Sequence, residues 1–90
     1  MAVPSPEALL ETLRRVLERE FEIPAGDATP EAHLVEDLDL DSVDAVSLIV
    51  LLEEETGLAL RDDDLKSMRT VASIVQIVHA RLIERAGAGS

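Results

Sequence analysis

The sequence predicts an all-α four-helix bundle: three longer helices, one short helix, and a long loop between helices one and two. Three observations carry this expectation. Apolar residues recur at helical i, i+3, i+4 spacing in three separate segments. Helix-start and helix-stop residues bracket those segments. The core can draw on almost no rings, because hydrophobic residues make up 47% of the chain and aromatic ones 1%, with Phe21 alone. Leu, Val, Ile and Ala suit small packed helices better than a sandwich rich in Tyr and Trp. No alternating strand pattern and no internal repeat competes with the helical spacing.

The first helix is expected over about Pro6 to Glu20. Ser5 is a natural N-cap, Pro6 fits the first helical position, and Glu7 suits the positive end of the dipole. Leu9, Leu10, Leu13, Val16 and Leu17 then line one face, with Glu11, Arg14, Arg15, Glu18 and Arg19 opposite. The run from Phe21 to Asp27, with Pro24 and Gly26, breaks it. The loop extends from about Pro24 to Asp41, and loops of this length inside a small domain usually have a reason. Its Leu34, Val35, Leu38 and Leu40 are expected to supply the parts that tuck against the bundle, and its end is dense in acid.

The second helix is expected from Asp41 or Ser42 to Thr56-Gly57, with glycine as the stop signal. Ala45, Leu48, Ile49, Leu52 and Thr56 form its core stripe. Val43, Val46 and Val50 then fall on or near the opposite flank, where a surface helix should be polar. Either this helix is central or it presents an apolar stripe to partners. Arg61 to Ser67 predicts a short turn of helix running from acids to Lys66, the order the dipole favours. Thr70 caps a last helix in which Val71, Ile74, Val75, Val78 and Leu82 repeat at core spacing. One carrier-sized domain over residues 1–85 and a disordered tail over 86–90 complete the expectation.

Charge and composition bound the function. The 90 residues include 19 Asp and Glu against 8 Lys and Arg, a net charge of −11. Such a field repels nucleic acid and anionic membranes and favours encounter with basic protein surfaces. Absence of cysteine excludes disulfides and thiolate metal sites. The start MAVPSPEALLETL lacks a basic region followed by an apolar run, and no apolar stretch approaches the roughly 20 residues that span a bilayer. A soluble, cytoplasmic monomer is expected.

The segment Asp41-Ser42-Val43-Asp44-Ala45-Val46, where the long loop meets an apolar helix, carries the chemistry. A serine there places its hydroxyl beside free backbone N–H groups, where an attached phosphodiester is favoured by the helix dipole. Asp41 and Asp44 oppose that charge and read better as docking points for Arg or Lys of a modifying enzyme. Taken alone, Ser and Asp at a helix start are simply good caps.

The match runs further. VEDLDLDSVDAVSLIVLLEEETGLAL, followed by DDDLKSMRTVASIV, resembles the acyl carrier proteins of bacterial dissociated fatty-acid and polyketide systems. Members of that family read close to DLGxDSLDxVEL, then LEEEFGI, an acidic short helix and a T(V/I)xxx(V/I) helix. The resemblance spans about Ala32 to Val78. It implies that Ser42 carries 4′-phosphopantetheine, taken from coenzyme A by a separate phosphopantetheinyl transferase. The arm's thiol would supply the thioester chemistry that a cysteine-free chain lacks. The resemblance further implies a non-catalytic carrier with no metal site, whose partners are that transferase and acyl-chain synthases and transferases with basic docking patches. Carried onto this chain, the partner face is Asp41, Val43, Asp44, Val50, Glu53 and Glu54. In such families an acyl chain can fold back between the helices, and an all-aliphatic interior is compatible with that.

Departures from the pattern carry their own expectations. Val43 replaces the usual Leu after the serine. Asp39 stands where Gly is common, so the loop should turn differently. Ser47 replaces a common Glu and removes a charge. Thr56 replaces an aromatic, which should leave the end of the second helix less well anchored. LKSMRTV has some likeness to carriers of specialised pathways such as aryl polyene synthesis.

Other readings fit less of the sequence. Asp37-x-Asp39-x-Asp41 copies the first ligands of a calcium loop, but Ser42 stands in place of the invariant Gly and Leu48 in place of the closing Glu. Ser42 lacks the G-x-S-x-G setting of a hydrolase, and neither His33 nor His79 has a triad context. A peptidyl or aminoacyl carrier and an unmodified interaction bundle share the pattern more closely. The charge itself generates one prediction: added salt or magnesium screens self-repulsion and raises Tm. A Tm that stays flat from low to moderate salt overturns it.

Overall fold

Ser5 opens the first helix of the computed structural model, which describes residues 3–88. Its hydroxyl accepts the Ala8 N–H at 3.2 Å, and α1 spans Pro6–Phe21. Leu9, Leu13, Val16 and Leu17 are buried and Leu10 packs against them, as the periodicity predicts. The helix stops where Glu22 enters the left-handed region, φ 57, and a 3-10 turn follows at Ala25–Asp27. Arg14 reaches across to the Ala28 carbonyl at 3.0 Å and fastens the start of the loop to α1.

The loop is ordered by a partner distant in sequence. Leu34 N–H donates to the Arg69 carbonyl, Val71 N–H to Ala32 and Ala72 N–H to Pro30, at 2.9–3.0 Å. These rungs, with the antiparallel bridge between His33 and Thr70, lay residues 30–34 against the start of the last helix. They also satisfy two first-turn N–H groups that a helix leaves open. Thr70 Oγ1 accepts a third, from Ser73 at 3.1 Å. Leu34, Leu38 and Leu40 go into the core, whereas Val35 is 60% exposed. Val35 therefore departs from the expectation that it tucks against the bundle. Leu34 takes the inward position, so its chain neighbour points away.

The second helix, α2, spans Ser42–Thr56 and ends at Gly57, φ 72, the left-handed conformation in which glycine bears no steric penalty. Leu48, Ile49 and Leu52 are its buried face. The expected loose end at Thr56 is held by other means. Arg85 donates to the Gly57 carbonyl at 2.8 Å and to the Thr56 carbonyl at 3.4 Å, so a cation from the last helix caps the negative end of α2.

The short helix, α3, spans Asp62–Ser67. Six residues are marginal as an isolated helix, and a buried ion pair compensates. Asp64 is only 5% exposed. It accepts the Arg61 N–H at 3.1 Å and a forked pair of bonds from Arg81, Nε to Oδ2 at 3.0 Å and a terminal guanidinium nitrogen to Oδ1 at 2.6 Å. Glu84 holds the guanidinium from its other side.

The last helix, α4, spans Val71–Ala88, with Val71, Ile74, Val75, Val78 and Leu82 buried. The expected tail is therefore helical at Ala86, Gly87 and Ala88. The alanines there are the strongest helix formers and outweigh the single glycine. Gly89 and Ser90 lie outside the described residues. Among the described residues the architecture is all helical, with α1, α2 and α4 around one aliphatic core and α3 latched to α4.

The Arg81 guanidinium holds the Asp64 carboxyl below its ordinary value of 3.8, against burial, which pushes it up. A carboxyl depressed in the folded state contributes stability that is complete above its unfolded pKa and lost as pH falls through the folded one. Asp64→Asn should therefore lower Tm at pH 7 by about 5–10 °C. The gap to wild type should close as the medium is acidified below 3.8. A gap independent of pH would show that the pair is not the latch.

Candidate functional site

Ser42 is the first residue of α2 and is exposed. The start is fixed by a reciprocal cap: Asp41 Oδ1 accepts the Asp44 N–H at 2.8 Å, and Asp44 Oδ2 accepts the Asp41 N–H at 3.4 Å. The first full helical bond runs from Ala45 N–H to the Asp41 carbonyl at 2.9 Å. The backbone N–H groups of Ser42 and Val43 and the Ser42 hydroxyl have no partner among the described residues. A reachable hydroxyl beside two free N–H groups at the positive end of a helix fits a phosphodiester-linked arm.

Two carboxylates that could oppose such an anion are thereby turned towards the backbone. The loop before them is treated the same way. Asp37 Oδ2 accepts the His33 N–H at 2.7 Å, and Leu40 N–H donates to the Leu34 carbonyl at 3.0 Å. Asp37 and Asp41 thus spend acceptors on their own chain. Among the described residues no group of three or more His, Cys, Asp or Glu side chains is placed to hold a metal ion.

The chemistry around Ser42 divides by face. Val43 is 71% exposed, Val46 57% and Val50 45%, while Leu48, Ile49 and Leu52 of the same helix are buried. Water-facing valines on a helix this apolar form a stripe that packing inside the chain does not explain. Glu54 lies exposed beside them, and Asp44 is half-buried. Glu53 also serves the backbone. Its Oε2 accepts the Leu60 N–H at 2.7 Å and holds the chain as it leaves α2. Val46 stood on the outward flank in the spacing but not among the carried positions, and its exposure places it with Val43 and Val50. Val35 could not be foreseen as outward, because adjacent apolar residues in a loop give no periodicity to read.

The interior itself is closed. A crevice of ≈10 Å³ lies between α1, α2 and α4, lined by Leu13, Leu52, Thr56, Ile74 and their neighbours. That is about the room one water needs. A larger open groove of ≈390 Å³ borders the site, between the end of α1 at Phe21-Glu22 and the segment Leu38-Asp39-Leu40 with Asp44.

Known proteins share this sequence pattern and this fold. A family described as "Phosphopantetheine attachment site" matches residues 8–78. Acyl carrier protein 2 of Ralstonia nicotianae is 43% identical over 74 residues, 82% of this chain and 91% of that one. The acyl carrier protein of Acidothermus cellulolyticus is 34% identical over 74 residues, 82% of this chain and 88% of its own. Among solved structures, the acyl carrier protein of Thermotoga maritima superposes with a TM-score of 0.79 at 22% identity, covering 89% of this chain and 93% of that one. That of Enterococcus faecalis gives 0.72 at 24%, covering 87% and 99%.

Asp39, where the sequence pattern led us to expect a different turn, has φ 55. The turn is the left-handed one that glycine takes freely, adopted here by an aspartate at some cost. Asp39→Gly should therefore raise stability by about 0.5–1 kcal/mol in chemical denaturation, the relief of strain exceeding the added freedom of the unfolded chain. A lower midpoint would show that the aspartate side chain contributes more than its backbone loses.

Proposed function

The chain belongs to the acyl carrier protein family, which bears covalently attached 4′-phosphopantetheine, and on that premise we propose that Ser42 is the residue that carries the arm. The observation that carries this reading is the exposed, unengaged hydroxyl at the first position of α2. Ser42 supplies the oxygen that becomes the ester link. The unpaired N–H groups of Ser42 and Val43 receive negative charge there, and the Asp41–Asp44 cap keeps the helix end rigid. When bound, the arm supplies a thiol that holds acyl groups as thioesters.

The chain's own contribution is tethering and recognition, with residues 1–85 as the carrier domain and no catalytic group. The exposed valines of α2 give partners an apolar centre, and Asp41, Asp44, Glu53 and Glu54 steer basic surfaces towards it. Val43 and Val50 are the apolar members of that face in this reading. The partners are a phosphopantetheinyl transferase and acyl-chain synthases and transferases with basic docking patches. Acyl intermediates of fatty-acid or polyketide assembly, including the aryl-polyene type, are the cargo, handled by a monomer in the cytoplasm. Among the described residues no helix is long and apolar enough to cross a membrane.

The test is intact mass after incubation of the unmodified chain with coenzyme A and a broad-specificity phosphopantetheinyl transferase. One added arm is expected on wild type and none on Ser42→Ala. No addition to folded wild type, with a known carrier modified in parallel, would sink the assignment and leave an interaction bundle.

A further inference from the structure

The loop that leads to Ser42 holds one apolar side chain in the solvent for which the fold has no use. Its turn at residues 33–38 is closely fastened. Asp37 and Leu38 N–H groups both donate to the His33 carbonyl at 2.9 and 3.1 Å. The Asp37 carboxylate returns to the His33 N–H at 2.7 Å. Leu34 is bonded to Arg69 on one side and to Leu40 on the other, at 3.0 Å each. Leu34 and Leu38 are 4% and 7% exposed, and Val35 between them is 60% exposed. Internal packing therefore does not hold Val35 in place. It sits on a rigid frame, tied through Leu40 to the residue two before Ser42. Around it Glu36, Asp37, Asp39 and Asp41 are exposed.

An apolar tip among carboxylates repeats the chemistry of the outward face of α2, where Val43, Val46 and Val50 stand among Asp41, Asp44 and Glu54. We propose that Val35 is a further anchor of the partner face. The docking surface then extends from α2 onto the preceding loop, and its occupant is the transferase that modifies Ser42, through an apolar spot ringed by Arg or Lys. Charge complementarity and continuity with the α2 face support this occupant. Rigidity supports it too, since a side chain already held in place loses little freedom on binding. The inference rests on the assignment of Ser42 as the modified residue.

The experiment is steady-state modification of the chain by a broad-specificity phosphopantetheinyl transferase with coenzyme A. Wild type, Val35→Ser and Ile83→Ser are compared, with Tm recorded for each. Ile83 is the natural control, being 50% exposed on α4. Val35→Ser should raise KM for the chain about fivefold with kcat unchanged, because only ground-state contact is lost. Ile83→Ser should match wild type. An unchanged KM for Val35→Ser overturns the proposal, as does an equal rise for both variants. If wild type itself takes no arm, the Ser42 assignment fails instead. If Val35→Ser is destabilised, the conservative Val35→Thr, which keeps the branched shape and adds a polar atom, is read on the same scale and must also raise KM.

Discussion

The rest of the structure depends on the backbone pairing between residues 30–34 and the start of α4. A helix leaves its first N–H groups without partners, and an irregular loop leaves carbonyls without donors. Here each deficit meets the other: Val71 and Ala72 donate to Ala32 and Pro30, and Leu34 donates back to Arg69. A connection that would otherwise be a long tether becomes a wall of the core. Leu34, Leu38 and Leu40 are held inside, and the chain arrives at Asp41 in one orientation. The position of Ser42 is thus decided by contacts to the far end of the sequence.

Around that frame the protein divides its aliphatic residues between core and surface. α2 is apolar over too wide an arc for one contact, and the structure buries Leu48, Ile49 and Leu52 while leaving Val43, Val46 and Val50 in water. The valines outside contribute nothing to the core, and their exposure is unfavourable for solubility. A net charge of −11 offsets this by keeping copies of the chain apart. The same charge makes basic surfaces the favoured visitors. Apolar stripe and acidic field are therefore two halves of one recognition device.

Where other small domains close their corners with rings, this one, with Phe21 as its single aromatic residue, uses polar clasps. Asp64 and Arg81 bind α3 to α4, Arg85 caps the end of α2, and Glu53 holds Leu60. Each satisfies charges or carbonyls that burial would otherwise leave unpaired. Two clasps reach from α4 to elements earlier in the chain, so the last helix organises both ends of the bundle.

Much of this was legible in the sequence, because it rests on local rules. Ser5 and Asp41 cap their helices, Gly57 stops α2, and the 3.6-residue period of Leu9, Leu13, Val16 and Leu17 or Val71, Ile74, Val78 and Leu82 selects the buried face. The serine at the loop–helix junction was visible for the same reason. What only the tertiary structure decided involves partners far apart in the chain. Val35 faces out because Leu34 is claimed by Arg69 and Leu40. The end of α2 is anchored because Arg85 crosses to Gly57. α4 continues through Ala88, and Asp39 takes the left-handed turn that the loop's closure requires. Periodicity and caps specify elements through neighbours within a turn or two. The pairing of distant backbone groups and charges depends on how those elements pack, and no local pattern records it.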